Sequence, residues 1–479
     1  MLDTEDIAKI VQQIVSTMDL SALAKAQAQQ PAAKPAAAVT SDNGVFDKVE
    51  DAIDAAYQAQ KYYIENCTVA DRDRIIAAIR KVSMEHAPEF ARMIVEESGM
   101  GRVEDKIAKH IAVINNTPGT ECLTTHALTG DAGLMLEEYA PFGLIGAITP
   151  VTNPTETIIN NTISMIAGGN SVVFNVHPNA KNVCAHCLKL LHKTIVENGG
   201  PAGLITMAKE PTMENVNIIS QSAKVRLMVG TGGMPMVNAL LRSGKKTIGA
   251  GAGNPPVLID DTADIALAAK EVYYGASFDN NLLCLAEKEV FIVNSAADQF
   301  IEKMKAEGAY LLNADELTKI LNLVFIHDEK GYRINKNWVG KDASLMLREI
   351  GITSDTKLII CDVPADHPFV LVEQLMPVLP IVRCASFDEA MHGAIAAESG
   401  NRHTSSMFSK NVDNMTRFAK AIETTIFAKN GCTLKGLGIG GNGHTSMTIA
   451  GPTGEGITCA RSFTRLRRCM LADGGFRIV

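Results

Sequence analysis

Cys284 closes the stretch Ser277-Phe278-Asp279-Asn280-Asn281-Leu282-Leu283-Cys284, just before an apolar run that starts at Glu289. A sulfur at a segment boundary can meet a substrate, whereas a cysteine inside a periodic apolar segment packs, so Cys284 is a candidate nucleophile. Against this stands the plain fact that unpaired cysteines are among the most buried residue types. Three loops offer partners. In Thr149-Pro150-Val151-Thr152-Asn153-Pro154 the Asn153 amide suits a developing oxyanion, although Asn-Pro is also a turn signature and the residues alone favour the turn. In Val229-Gly230-Thr231-Gly232-Gly233 the glycines let backbone amides approach a pyrophosphate, or serve only as a tight connection. Gly249-Ala250-Gly251-Ala252-Gly253-Asn254-Pro255-Pro256 has no ionisable side chain, so backbone alone would contact whatever meets it.

The elements that must position these loops alternate. Helical periodicity covers Val49 to Glu65 and Asp71 to Glu97. Strand Leu144 to Thr149, helix Thr155 to Ala167, strand Ser171 to Val176 and helix Asn179 to Asn198 follow, the last ended by Gly199-Gly200. Strand Val225 to Val229, helix Met234 to Leu241, strand Pro256 to Ile259 and helix Ala263 to Tyr274 continue the series. This alternation predicts a parallel sheet with helices on both faces and ligands at strand C-termini. After Cys284, strand Glu289 to Val293, helix Ala296 to Ala306 and strands near Leu358 to Cys361 and Leu379 to Val382 suggest a second α/β lobe.

The first residues form a unit of their own. Ile7, Ile10, Val11, Ile14 and Met18 share one helical face, and Glu5 and Asp6 suit the positive end of the helix dipole. Ser21 to Asn43, rich in Ala, Gln, Lys and Pro, cannot bury a core and reads as a tether. So short a helix needs a surface to fold against, and pattern alone leaves a docking element and a frayed or self-packed tail equally open.

With 479 residues, 46% hydrophobic and 20% charged, the chain has ordinary globular usage. Its apolar stretches fall short of the roughly 20 residues a bilayer helix needs. An acidic start with no apolar h-region is unlike a secretory signal, which makes the cytosol the expected compartment. Ten scattered cysteines then read as reduced thiols. A net charge of -8 gives no case for nucleic acid, and the basic run Arg461 to Arg468 reads as a solvated face or an oligomer contact.

Together, Cys284 and these loops resemble the aldehyde dehydrogenase superfamily in order and separation from about Gly44 to Val479. Thr149 to Pro154 is similar to that family's Pro-Trp-Asn-Phe-Pro segment, which implies that Asn153 holds the oxyanion. Phe174 to Asn179, with His177 and Pro178, resembles its adenosine-side loop, and Gly230, Thr231 and Gly232 its dinucleotide turn. Glu373-Gln374-Leu375-Met376-Pro377 resembles Glu-x-Phe-Gly-Pro, which implies that Glu373 holds the nicotinamide ribose. Read alone, Glu373 is a surface carboxylate. With Thr149, Pro150 and Gly251, these residues make up the cofactor site that the resemblance implies.

The departures sharpen the reading. Hydrolytic members have Glu-Leu-Gly-Gly where this chain has Gly249-Ala250-Gly251-Ala252, so the water-activating glutamate is missing and a better nucleophile, a thiol such as coenzyme A, must release the product. Gly436 to Ser446 and Pro452 to Arg465 resemble the CoA-acylating aldehyde dehydrogenases of bacterial microcompartments, of the ethanolamine and propanediol type. The resemblance implies oxidation of propanal or acetaldehyde to acyl-CoA inside a microcompartment. It makes residues 1-20 an encapsulation helix for a shell protein and implies a homodimer or a dimer of dimers. NAD is the expected cofactor, with NADP left open because no carboxylate stands at Ala180; Pro235 replaces a common glycine of the dinucleotide turn.

The expected fold is thus aldehyde dehydrogenase-like: two doubly wound α/β lobes plus a β oligomerisation arm, after an amphipathic helix on a flexible linker. The segments are 1-20 helix, 21-43 linker, 44-119 and 139-252 dinucleotide-binding domain, 253-440 catalytic domain, and 120-138 with 441-479 as the arm. Cys184-Ala185-His186-Cys187 lies inside a predicted helix with no second ligand pair, so no metal is expected. His403 and His444 are left out of the catalytic set, because a lone histidine is more often structural. Three rivals remain: a hydrolytic dehydrogenase, a phosphate-dependent semialdehyde dehydrogenase, and an inactive shell-docking scaffold.

Overall fold

The computed structural model describes residues 43–329 and 331–472. The helix expected at 1-20, and the linker up to its last residue, lie outside the described residues. Six strands form the first sheet in the order Val45–Phe46, Ile205–Ala208, Ser171–Asn175, Leu144–Ile148, Val225–Thr231 and Lys246–Ala250. Every pairing in it is parallel. Buried side chains on both sheet faces need cover on both. Helices Val69–Ser98, Pro154–Ala167 and Lys181–Glu197 supply it on one side, Val49–Asn66 and Met213–Gln221 on the other.

Chain order runs one way across this sheet from Leu144–Ile148 and the other way from its neighbour Val225–Thr231. The crevice beyond the C-terminal ends of those two strands is the topological switch point, where doubly wound sheets bind ligands.

A second parallel sheet runs in the order Tyr310–Leu311, Ile359–Asp362, Val378–Cys384, Glu289–Val293, Pro256–Ile259, Thr404–Phe408 and Ile426–Lys429. Separate apolar clusters cover its two faces. Outside both sheets, His126–Gly130, Gly133–Pro141 and Thr464–Leu471 pair as an antiparallel ribbon. Arg468 meets Glu137 across it at 2.6 Å, while Leu128, Leu466 and Met470 are exposed.

Three local differences from expectation have simple causes. The helix expected over 179–198 begins as a short turn, Pro178–Ala180, because proline fixes the first residue, and becomes α-helical at Lys181–Glu197. Residues 441–463 are not ribbon: Thr445, Met447, Ile449, Ala460 and Phe463 are buried in the body. Strands Val45–Phe46, Ile205–Ala208 and Lys246–Ala250 of the first sheet and Tyr310–Leu311, Thr404–Phe408 and Ile426–Lys429 of the second were not foreseen, and Pro256–Ile259, expected to continue the first series, pairs in the second sheet instead.

Candidate active site

The turn before Cys284 has three consecutive residues in the left-handed region: Asp279 (φ 48°), Asn280 (φ 54°) and Asn281 (φ 62°). That conformation costs an L-residue about 1–2 kcal/mol, least for Asn and Asp, so the surroundings must hold it. Asp279 accepts from the Arg102 backbone N–H at 2.9 Å and lies 3.1 Å from the Lys106 ammonium and 2.6 Å from Lys109. Asn280 donates to the Gly340 carbonyl at 2.9 Å and to Asp342 at 2.8 Å. Asn281 donates to the carbonyls of Ala276 and Glu287, each at 2.9 Å. The buried Lys288 ammonium then donates to the carbonyls of Asn281 at 2.8 Å and Leu283 at 3.2 Å, and also to the Asn281 side chain.

Cys284 is half-buried. Burial and the Glu373 carboxylate push its thiol up to about 12, against the opposing charges of Lys288 and Lys109. The thiol is therefore protonated at rest, and its ionisation must be coupled to attack.

Asn153 immediately precedes helix Pro154–Ala167 but caps it with no side-chain hydrogen bond. Lys109 donates to its side-chain carbonyl, and its amide nitrogen donates to Thr152 Oγ1 at 3.2 Å. With the oxygen fixed by an ammonium, the second amide hydrogen is left to serve an oxyanion. Lys109 also lies 3.4 Å from Glu156, and both side chains are fully buried. Burial opposes the charge on Lys109, yet Asp279 and Glu156 outweigh it and its pKa is raised overall.

The glycines of the third loop are sterically required. A Cβ at Gly249 would lie 2.5 Å from Val237 Cγ1, and one at Gly251 would lie 2.4 Å from Met234 Sδ. The position of the hydrolytic glutamate thus lacks both a carboxylate and the room for one. A Cβ at Gly253 would lie 2.4 Å from the Cys284 carbonyl oxygen and 3.0 Å from His403 Cγ. Gly253 is therefore packed against both the Cys284 backbone and the His403 ring.

His403 is the residue that sequence reasoning passed over. Its backbone N–H donates to Glu398 at 3.0 Å, and Nδ1 lies 2.8 Å from Thr404 Oγ1. Nε2 is buried without a hydrogen-bond partner. Burial and the Lys288 charge pull its pKa down to about 4, so the imidazole is neutral at pH 7 and free to accept a proton. His444 instead lies 3.2 Å from the Ile457 carbonyl oxygen.

Glu373 differs from a plain surface carboxylate. It is half-buried, accepts from the Gly253 N–H at 3.3 Å, and is raised to about 7 by burial despite Lys288. Its loop is held by Gln374, which donates to the Phe369 carbonyl at 2.8 Å, and by the Leu375 carbonyl, which accepts from the Gly340 N–H at 3.0 Å.

The expected cofactor residues gather at the switch point. Thr149 and Pro150 follow strand Leu144–Ile148, Gly230 and Thr231 end the adjoining strand with Gly232 next, and His177 and Pro178 follow Ser171–Asn175. Thr149 Oγ1 is buried with no partner, and a Cβ at Gly230 would lie 2.5 Å from Leu240. The glycine lets helix Met234–Leu241 pack closely on the strand, and the orphaned hydroxyl at the strand end fits a polar ligand such as a dinucleotide. Burial and nearby Lys336 lower the His177 pKa, so it brings no charge to that crevice at neutral pH.

Lys109 and Lys288 also escaped the sequence reading. A signal existed for the first: Lys106, Lys109, His110 and Val113 share one face of helix Val103–Asn116, and all four are buried. Charges at core spacing mark an internal ion network.

A two-lobed α/β fold, a cysteine on a pinned turn and an asparagine at a helix start define an aldehyde-oxidising site. The profile of the aldehyde dehydrogenase family matches residues 24–451, and the chain belongs to that family. It is 48% identical to the acetaldehyde dehydrogenase (acetylating) of Bilophila wadsworthia, over 98% of this chain and 99% of that protein. A propionaldehyde dehydrogenase from the Clostridium phytofermentans fucose utilisation bacterial microcompartment superposes with TM-score 0.87 at 47% identity, covering 90% of this chain and 98% of that one. The Rhodopseudomonas palustris propionaldehyde dehydrogenase, solved with CoA and an acylated cysteine, gives TM-score 0.88 at 46% identity, covering 91% of this chain and all (100%) of that one.

Proposed function

We propose that this protein oxidises a short-chain aldehyde, propanal or acetaldehyde, to the acyl-CoA with reduction of a nicotinamide dinucleotide. The observations that carry this reading are Gly249, where the hydrolytic carboxylate is absent, and His403, whose ring packs through Cγ against Gly253 of the loop that touches the Cys284 backbone and whose Nε2 has no hydrogen-bond partner. Such a site cannot direct water from the hydrolytic position, yet it can deprotonate a thiol.

The Cys284 sulfur adds to the aldehyde carbonyl while its proton passes to solvent water, and the alkoxide that forms is held by the Asn153 amide. Gly230 to Gly232 would hold the phosphates of a nicotinamide dinucleotide and Glu373 its ribose, and the bound group would supply the hydride acceptor. What remains on Cys284 is a thioester. His403 Nε2 then takes the proton of the CoA thiol, whose sulfur attacks the acyl carbon and expels the Cys284 thiolate.

The three-stranded ribbon, with Leu128, Leu466 and Met470 exposed, suits pairing between subunits as a dimer or dimer of dimers. Residues 1-20 fit a shell-docking helix that would place the enzyme inside a microcompartment.

The test is NADH formation from propanal with and without CoA, with acyl-CoA and free acid quantified. Acyl-CoA formed only with CoA is expected, and equal rates without CoA would overturn the reading. His403→Gln should slow acyl transfer on the order of 100-fold while leaving the burst of NADH from the first half-reaction.

A further inference from the structure

Cys184 and Cys187 point into the core, but His186 between them does not. Helix Lys181–Glu197 turns it toward helix Val69–Ser98, where His86 and Glu89 stand three residues apart and hence on one face. His86 Nδ1 is 2.6 Å from Glu89 Oε2, and His186 Nε2 is 3.1 Å from Glu89 Oε1. Ligand atoms of the three residues all lie within 4.8 Å of one another. His186 Nε2 is shielded from solvent yet makes no well-directed hydrogen bond, although the carboxylate is so near. The axis of this ring nitrogen thus passes beside the carboxylate rather than onto it.

Two imidazole nitrogens and a carboxylate are the donors that borderline divalent ions prefer, with bonds of about 2.0–2.2 Å and water in the fourth place. All three side chains are about one-third exposed or more, so they can part slightly to admit an ion.

We propose that His86, Glu89 and His186 bind one zinc-class divalent ion that ties helix Val69–Ser98 to helix Lys181–Glu197. The same two helices are already joined near the cofactor crevice, where Glu97 accepts from the backbone N–H groups of Asn182 at 2.9 Å and Val183 at 2.8 Å. The ion adds a second tie about one turn further along the later helix. It stabilises the lobe that carries His177 and Pro178, and takes no part in the chemistry at Cys284.

The experiment uses full-length enzyme without a histidine tag, stripped with EDTA and titrated with zinc chloride by calorimetry and by thermal melting. One ion per chain and a raised Tm are expected for the parent and for Cys284→Ala. His86→Ala, Glu89→Gln and His186→Ala should each lose the Tm rise while keeping metal-free CoA-dependent activity, which shows that they fold. Cobalt(II) in place of zinc should give d–d bands without thiolate charge transfer. No binding, binding undiminished in the His86→Ala/His186→Ala double variant, or binding lost only in Cys284→Ala would each overturn the proposal.

Discussion

Asn153 and Asp279 are joined through one ammonium: Lys109 donates to the Asn153 carbonyl and lies 2.6 Å from the Asp279 carboxylate. The proposed oxyanion donor and the turn that carries the proposed nucleophile are thereby held in one register, although they come from different lobes. Removing the ammonium strands Glu156 and part of Asp279 in the interior. Lys109→Met should therefore lower stability by about 3–5 kcal/mol. In the protein that still folds, kcat should fall on the order of 100-fold or more. Denaturant titration and NADH assays read the two effects separately.

Restoring the hydrolytic glutamate alone should fail. In Gly249→Glu the new Cβ meets Val237 Cγ1, and overpacking of this kind costs about 1–3 kcal/mol. The expected result is a lower Tm and no free acid from propanal without CoA. Hydrolysis at the parent CoA-dependent rate would show that the strand moves aside.

Cys284 in the empty enzyme should react slowly with iodoacetamide. A thiol at about 12 carries roughly a thousandfold less thiolate at neutral pH than an ordinary cysteine. Peptide mass spectrometry can follow its alkylation against the exposed Cys469, and the rate should climb steadily from pH 7 to 10. Lys288→Met, which removes an opposing charge and frees the turn, should slow it further.

Stability should fall as pH rises through neutrality because of Glu287. Burial raises this carboxyl from 4.5 to about 7, and it accepts from the Thr433 N–H at 2.7 Å. The folded state favours the protonated form, so the contribution is complete below pH 4.5 and is lost as pH passes 7. Glu287→Gln should gain on the parent by a few kcal/mol between pH 5 and pH 8. Urea midpoints at the two pH values measure it, and an unchanged difference would refute the assignment.

Three of the six strands of the first sheet were legible because glycine and proline punctuate their ends at Thr149-Pro150, His177-Pro178 and Gly230. Four of the seven strands of the second sheet were read. Strand Thr404–Phe408 begins with three hydroxyl residues, which carry no apolar signal, and its Ser405 hydroxyl finds Thr424 Oγ1 at 2.7 Å. Side chains that act across long separations were the least visible. His403 acquires meaning only beside Gly253, Lys109 only between Asn153 and Asp279, and His186 only against a helix 100 residues earlier.

The pinned turn at Asp279-Asn280-Asn281 has a consequence for how the enzyme matures. Its pins come from Arg102, Lys106 and Lys109 on one side and from Gly340 and Asp342 on the other, so no nascent fragment shorter than 342 residues contains them all. The turn that carries Cys284 is therefore fully pinned only after residue 342 has been made and docked.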